Sequence, residues 1–191
     1  FYAPDVYEGA PTGVVAQLSF LPKLAGFAAL ARVLGLLSGD PSQVPFDIPT
    51  QIPLLLWIIA VVTMTLGNVL ALLQDNLKRM LAYSSVAHGG YMLMGIVVAT
   101  SVLPGLRDGD PAKAAAHMDG IDALLVYLVA YGAMTVGAFA LLIYLSTAEQ
   151  PVEAIDDLAG LGQSRPLGAA MMAVFLFSLI GLPLTAGFAG K

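Results

Sequence analysis

Two titratable side chains lie deep inside long apolar stretches of this sequence, where ionisable groups are rare. Lys23 follows Thr12, where the first apolar stretch starts, by eleven residues, and His88 follows Lys78 by ten. At a helical rise of about 1.5 Å per residue, each would lie roughly 15 Å inside a membrane whose hydrocarbon core is ~30 Å thick. An ionisable residue at that depth is costly and commonly functional. The sequence therefore predicts a role in proton or ion movement.

Lys23 is too far from either end of its apolar stretch to extend its ammonium to the membrane surface. Burial disfavours the charged ammonium, which would allow this lysine to exchange a proton near neutral pH. Pro22 removes a backbone hydrogen bond beside it and frees a carbonyl for water or the ammonium. Alternatively, Lys23 is neutralised by a buried carboxylate and is purely structural. That carboxylate would lie outside this sequence, because none occupies the middle of an apolar stretch.

Polar residues surround His88 in the third apolar stretch. Ser84, Ser85, His88 and Tyr91 are spaced so that they share one face of a helix. Hydroxyl and imidazole groups can order water and pass protons, because imidazole both accepts and donates a proton near pH 7. The alternative is a histidine that only contacts neighbouring helices. Tyr83 lies off this face, and its position alone favours an interhelical hydrogen-bond donor.

The final apolar stretch is interrupted by helix-breaking residues. Gly181, Pro183 and Gly187 would lie at membrane depth, and Lys191 follows them. In transporters, interrupted helices are built around ion and substrate sites, because freed carbonyls and helix ends face a cavity. The pattern predicts a discontinuous helix with Lys191 as a third candidate proton carrier. An ordinary proline kink that ends in an interfacial lysine is the alternative.

The composition is typical of a membrane protein. Hydrophobic residues make up 58% of the chain and charged residues 11%, whereas soluble domains carry about 25% charged residues. The sequence has no basic patch, which argues against nucleic acid binding. The absence of cysteine excludes thiolate-bound zinc, iron–sulfur clusters and disulfides within this chain. No phosphate loop, zinc-protease motif or serine triad is present, so neither a cofactor site, nor a metal site, nor covalent chemistry is predicted.

Five apolar stretches define the predicted fold, and each has roughly the 20 residues that a spanning helix needs. The predicted fold class is an all-α, polytopic transmembrane helix bundle with four full spanning helices and most of a fifth. Residues 1–11 are predicted to form turns, and Lys78 and Arg79 are predicted to be interfacial anchors. Because the sequence starts at Phe1 and stops in an apolar stretch, we expect an internal fragment of a longer protein. The predicted helices of this single membrane domain cover residues 12–37, 52–73, 77–103, 121–146 and 166–191, the last broken near 181–187.

Three motifs occur in a recognisable order: PDVYEGAPT at 4–12, the stretch from Gly67 to Tyr91, and the stretch from Gly181 to Lys191. They resemble the antiporter-like membrane subunits of respiratory complex I, which are similar to Mrp-type cation/proton antiporter subunits. Within this family the first motif resembles the N-type subunits most, because the other subunits usually have a histidine where Tyr7 stands. The resemblance covers essentially the whole chain.

The resemblance implies roles for individual residues. Lys23 would accept the proton and pass it on. Tyr83 and His88 would line a hydrated central axis, and Lys191 would be the relay lysine on the side where the proton leaves the subunit. For Tyr83 this role comes from the resemblance alone. The helices would be the eighth to twelfth of a fourteen-helix subunit. The family's fifth-helix glutamate and seventh-helix lysine would lie before Phe1.

The resemblance also implies the function. The chain would be a non-redox, proton-translocating subunit of a NADH–quinone oxidoreductase in a bacterial or organellar inner membrane, with the side of Lys78 and Arg79 facing the cytoplasm. Its partners would be other membrane subunits of complex I, the lipid bilayer, protons and internal water. NADH, FMN, iron–sulfur clusters and quinone would be bound by other subunits. Two alternatives remain, an Mrp-type or stand-alone cation/proton antiporter subunit and a structural membrane subunit without a relay.

Overall fold

The structure, a computed structural model, describes residues 2–34, 51–101, 111–146 and 152–183, together with residues 185 and 187. Within these residues the secondary structure is helical, apart from one isolated antiparallel bridge between Asn76 and Ala154. Four of the helices are long and apolar enough to cross a membrane, which confirms the predicted fold class. The helices are α1 (Ala3–Gly9), α2 (Thr12–Val33), α3 (Gln51–Leu72), α4 (Leu77–Ser101), α5 (Pro111–Leu145), α6 (Leu161–Ser164) and α7 (Pro166–Ile180), with a 3-10 turn at Ile155–Leu158.

Two regions differ from the sequence prediction. Residues 3–9 form α1 rather than turns, because Pro4 lies in the first helical turn, where its missing N–H is not needed. The Tyr7 ring also packs edge-to-face with that of Phe139, with ring centres 6.2 Å apart. α5 begins at Pro111 rather than near residue 121. Hydropathy marks the apolar part of a helix, and here the helix continues through more polar residues.

The start of α4 is held by the chain on both sides of it. The Asn76 side-chain oxygen accepts the N–H groups of Lys78 (2.9 Å) and Arg79 (3.1 Å). The carbonyl of Glu153 accepts the N–H of Leu77 (2.7 Å). These bonds satisfy donors that a helix start otherwise leaves unpaired. They also attach the α3–α4 turn to the segment before α6, so these two connections lie on the same side of the bundle.

α4 is the central helix of the described bundle and contacts α1, α2, α3 and α5. Glycines allow its backbone to approach α3 and α5 closely. A Cβ atom on Gly67 of α3 would lie 2.7 Å from the Ala87 nitrogen, and one on Gly95 would lie 2.8 Å from the Gly120 carbonyl oxygen. Helix pairs in membranes commonly associate through small residues that allow such close backbone contact. The Gly95–Gly120 contact brings α4 and α5 close together, and α2 packs against both helices.

α7 ends where the sequence pattern predicts a break. Gly181 has a φ of 86°, a left-handed conformation that favours glycine, and the N–H of Leu182 donates to the Phe177 carbonyl (3.1 Å). The N–H of Gly187 donates to Ser178 Oγ (3.3 Å), although nine residues of helix would separate them by about 13 Å. The chain therefore turns back beside α7. Lys191 lies outside the described residues.

Candidate proton-transfer site

The Lys23 side chain is bound by groups from two neighbouring helices. Its Nζ donates to the Ser85 carbonyl oxygen of α4 (2.5 Å) and to the Tyr131 hydroxyl of α5 (2.8 Å). The same nitrogen lies 4.4 Å from the centre of the Tyr131 ring, where the electron-rich ring face attracts a cation. These contacts hold Lys23, in the middle of its spanning helix, at the junction of α2, α4 and α5.

Lys23 forms no ion pair with a residue that the structure describes. The ion pairs found in that part of the chain join Lys78 to Glu153 and Arg79 to Asp5 and Glu8. A carboxylate beside Lys23 would favour the charged lysine strongly, whereas a carbonyl and a hydroxyl hold it as hydrogen-bond acceptors without a full opposite charge. The buried carboxylate that a purely structural lysine requires is thus not among the described residues.

His88 lies in a cage of tyrosine rings and is only 3% exposed. Its Nδ1 is 2.5 Å from the Tyr127 hydroxyl oxygen. Its ring centre lies 5.1 Å from that of Tyr131 and 5.8 Å from that of Tyr91. The Tyr127 hydroxyl can donate to Nδ1 when the imidazole nitrogen lacks a proton, and it can accept when that nitrogen carries one. His88 can therefore change its protonation while it keeps this contact.

Tyr131 connects the lysine to the histidine, because its hydroxyl binds Lys23 while its ring contacts His88. Tyr131 and Tyr127 are 1% and 2% exposed, so both hydroxyls lie inside the protein. We name Lys23, His88, Tyr127 and Tyr131 the lysine–histidine cluster. The structure thus brings together Lys23 and His88, two of the residues that the sequence predicted. The four residues of the cluster come from three different helices.

Tyr127 and Tyr131 are candidate site residues that the sequence did not predict. They lie four residues apart in an apolar stretch, and Thr135 follows at the same spacing, which places all three on one face of α5. The Thr135 hydroxyl donates to the Tyr131 carbonyl (2.7 Å) and is buried. The helical spacing of polar residues that marks His88 in α4 also marks these tyrosines in α5. The hydrophobic composition of this stretch does not distinguish them, because tyrosine is counted among the hydrophobic residues.

The residues of the predicted polar stripe of α4 face two neighbouring regions, the surroundings of Lys23 and a cavity beside α3 and α7. The carbonyl of Ser85 faces Lys23, and the Ser85 side chain interacts with Tyr7 and Tyr131. Ser84, His88 and Tyr91 line an open cavity of about 600 Å³ between α3, α4 and α7. His88 therefore belongs both to the lysine–histidine cluster and to the wall of this cavity.

Tyr83 lies beside the guanidinium of Arg79. Arg79 precedes Tyr83 by one helical turn and is therefore closer to the start of α4. That guanidinium binds the carboxylates of Glu8 (2.9 Å) and Asp5 (3.3 Å) on α1. The structure thus places Tyr83 next to an ionic group near the start of α4. The role of Tyr83 in proton transfer stays a prediction.

Lys78 is more buried than an interfacial anchor would be, so that interpretation needs correction. It is 6% exposed, and its Nζ donates to the Glu8 carbonyl oxygen (2.9 Å) and to the Glu153 carboxylate (3.4 Å). The physical reason is that α1 and the segment near Glu153 cover this end of α4. Lys78 therefore joins three parts of the chain within the protein, where the sequence suggested contact with lipid headgroups.

Two titratable groups outside the spanning helices have shifted pKa values. Burial raises the pKa of the Tyr7 hydroxyl, and its hydrogen bond with Ser85 opposes this effect. The N–H groups of Glu153 and Ala154, at 2.9 and 2.8 Å, lower the pKa of Asp157 because they stabilise its carboxylate. Asp157 thereby fixes the backbone that precedes the 3-10 turn.

Comparison with known proteins identifies the family. The family model described as "NADH:quinone oxidoreductase/Mrp antiporter, TM" matches residues 1–104 and 112–191. The chain belongs to this family. It is 45% identical over 190 residues to "NADH-quinone oxidoreductase subunit N" of Trichlorobacter lovleyi. It is 46% identical over 190 residues to "NADH-quinone oxidoreductase subunit N 1" of Herpetosiphon aurantiacus and 46% identical over 199 residues to the subunit N of Desulfovibrio desulfuricans.

These matches confirm the resemblance to antiporter-like membrane subunits and to their N-type branch. They cover the whole of this chain but only 34%, 34% and 35% of the three relatives, in that order, so the chain spans about a third of their length. As a member of the NADH:quinone oxidoreductase/Mrp antiporter transmembrane family with four helices able to cross a membrane, the chain is an integral, multi-pass membrane protein.

Proposed function

We propose that this chain is part of a proton-translocating membrane subunit of a NADH–quinone oxidoreductase. The names of its relatives, subunits N of NADH-quinone oxidoreductases, support membership of this complex. The lysine–histidine cluster supports the proton as the transported species. Such a subunit would lie in the bacterial inner membrane beside other membrane subunits of the complex. NADH, FMN, iron–sulfur clusters and quinone would be bound by those other subunits, and this chain would carry out no redox step.

The observation that carries the proposal is the environment of Lys23. A lysine in the middle of a spanning helix is held by a carbonyl and a hydroxyl, has no carboxylate partner among the described residues, and lies one tyrosine ring away from a buried histidine. A permanently charged structural lysine at this depth would need a closer compensation of its charge. A lysine that gains and loses its proton can use this environment in both states.

In the proposed relay, quinone reduction elsewhere changes charges near Lys23 and thereby changes its protonation. The ammonium releases a proton to internal water beside Tyr131, and His88 accepts a proton on one ring nitrogen and releases one from the other. The Tyr127 hydroxyl reverses its hydrogen bond with Nδ1 as the imidazole changes state. Lys191 and Tyr83 remain proposed members on the grounds of the family resemblance.

Substitution of Lys23 in the full-length subunit within the assembled complex tests this function. Lys23→Arg keeps a positive charge but removes proton exchange, because a guanidinium stays protonated. We expect Lys23→Arg and Lys23→Ala to abolish NADH-driven proton uptake by inside-out vesicles, with the complex still assembled. Arg32→Ala, on the same helix but exposed, is the matched control and should pump normally.

Three results would point elsewhere. Normal pumping by both Lys23 variants would support a structural membrane subunit. Loss of pumping by Lys23→Ala with full activity of Lys23→Arg would show that only the charge matters. The family description also names Mrp antiporters, so proton flux that depends on sodium and proceeds without NADH would favour that alternative.

A further inference from the structure

A groove lies between the end of α5 and the start of α7 and is open to the outside of the described bundle. Its volume is about 600 Å³. The charged residue of its lining is Arg165, with Tyr144 beside it, and the other lining residues are apolar. The walls include Ala140 of α5 and Leu167, Met171 and Phe175 of α7. The groove therefore has a cationic end and an apolar length.

Small residues bring α5 and α7 together beneath this groove. A Cβ atom on Gly137 would lie 2.5 Å from a ring carbon of Phe175, and one on Gly168 would lie 3.2 Å from Leu145 Cδ2. Gly168 is buried, whereas Leu167 and Met171 beside it are 76% and 46% exposed. The groove therefore has a closed floor between the two helices and an exposed apolar side.

The groove has the length of one membrane leaflet. Arg165 directly precedes α7, on the side of the bundle that also holds the α3–α4 turn. Phe175 follows Arg165 by ten residues, which is roughly 15 Å by helical rise and half of a ~30 Å hydrocarbon core. Tyr144 is 70% exposed, and tyrosine is enriched where the membrane meets water. The groove thus runs from the membrane surface to about the midplane.

The guanidinium of Arg165 is held at the surface end of the groove. Its Nη1 donates to the Tyr144 carbonyl oxygen (3.4 Å), and its Cζ lies 5.9 Å from the centre of the Tyr144 ring. Arg165 is exposed, and no carboxylate in the described part of the chain forms an ion pair with it. A guanidinium has five N–H donors, and a phosphate can accept two of them in a bidentate arrangement.

We propose that this groove binds one anionic phospholipid, with the phosphate at Arg165 and one acyl chain between α5 and α7. The positive charge complements the headgroup, and the apolar walls accommodate the chain down to Phe175. Basic pockets between spanning helices bind anionic lipid headgroups in the same way. A zwitterionic phospholipid offers the same chain without a net negative charge, so Arg165 should make the groove selective. No residue of the lysine–histidine cluster lines the groove, so the proposal does not depend on proton transfer.

Photo-crosslinking tests the groove in the assembled complex, with the full-length subunit reconstituted into lipid nanodiscs. The probes are phosphatidylglycerol, which is anionic, and phosphatidylcholine, which is zwitterionic, each with a diazirine in the middle of one acyl chain. Mass spectrometry measures the labelled peptide that contains α7. We expect the phosphatidylglycerol probe to label it at least about five-fold more than the phosphatidylcholine probe, which is the effect of one basic residue near a membrane surface.

Three variants separate the roles of charge and shape. Arg165→Gln should lower labelling by phosphatidylglycerol to the level of phosphatidylcholine, because the charge is lost. Arg32→Gln is the matched control, since Arg32 is an exposed arginine at the end of another spanning helix and does not line the groove. It should leave labelling unchanged. Ala140→Trp places a large ring on an exposed position of the wall and should lower labelling by both probes.

Three results would overturn the proposal. Equal labelling of the parent by the two probes would show that the groove holds bulk lipid without selectivity. No labelling of α7 by either probe would show that protein covers the groove. Equal effects of Arg165→Gln and Arg32→Gln would assign the selectivity to the general charge of the surface. Labelling needs no NADH, so its outcome is independent of the Lys23 test of pumping.

Discussion

The Lys23 ammonium and the Tyr131 hydroxyl lie 2.8 Å apart although 108 positions separate the two residues in the sequence. The same ammonium lies 4.4 Å from the centre of the Tyr131 ring. One tyrosine thus offers the lysine both a hydrogen-bond acceptor and an electron-rich face. Because Tyr131 also contacts His88, it is the residue through which the two candidate proton carriers meet.

Tyr131→Phe should reduce proton translocation while it preserves the fold. The variant keeps the ring and removes only the hydroxyl that accepts from Lys23. A buried donor left without its partner costs about 1–3 kcal/mol, and more where the donor is charged. We expect the rate of NADH-driven proton uptake to fall by about five-fold or more, since 1 kcal/mol corresponds to roughly a five-fold change. Tyr144→Phe, on the same helix and 70% exposed, is the control. Equal rates in the two variants would remove Tyr131 from the relay.

His88 and Tyr127 should act as one unit, because their side chains are joined by a short hydrogen bond. We expect His88→Ala and Tyr127→Phe each to slow proton uptake. The double variant should be no slower than His88→Ala alone, because without the imidazole the Tyr127 hydroxyl has lost its partner in the relay. The measurement is the initial rate of proton uptake in all three variants. Effects that multiply in the double variant would show that the two residues act independently.

Gly67→Ala should weaken the packing of α3 against α4. The added Cβ would meet the Ala87 backbone nitrogen at 2.7 Å, and such overpacking typically costs about 1–3 kcal/mol. We expect less assembled subunit after a heat step in detergent than in the parent. Gly89→Ala is the control, because no atom lies within 4 Å of its added Cβ. It should be neutral or slightly stabilising, as alanine favours the helix, so equal losses in both variants would contradict the packing argument.

Asp157 should make the segment before α6 sensitive to acid. Its folded-state pKa is lowered by the N–H groups of Glu153 and Ala154. The stabilisation is therefore complete above the unfolded carboxyl pKa of about 3.9 and is lost as the pH falls through the lowered value. We expect the hydrogen-exchange protection factors of these two amides to decrease in acid. Asp157→Asn keeps a neutral acceptor and should abolish this decrease, whereas an unchanged acid response would assign it to another group.

The sequence by itself determined the four spanning helices and the positions of Lys23 and His88 along two of them. Apolar length indicated four spanning helices, and the glycine and proline residues around Gly181 indicated the end of α7. Helical spacing put Ser84, His88 and Tyr91 on one face, and all three line the same cavity. These features follow from rise and periodicity within one helix, which the sequence encodes directly.

Only the tertiary structure decided which faces of different helices meet. Lys23 of α2 reaches Ser85 of α4 and Tyr131 of α5 across 62 and 108 sequence positions. The cover over Lys78 likewise comes from α1 and from Glu153, distant parts of the chain. Such contacts depend on how closely neighbouring helices approach and how they are rotated, which the packing of small residues such as Gly67 and Gly95 controls. Periodicity places a residue on its own helix, but the helix–helix interfaces determine its partner.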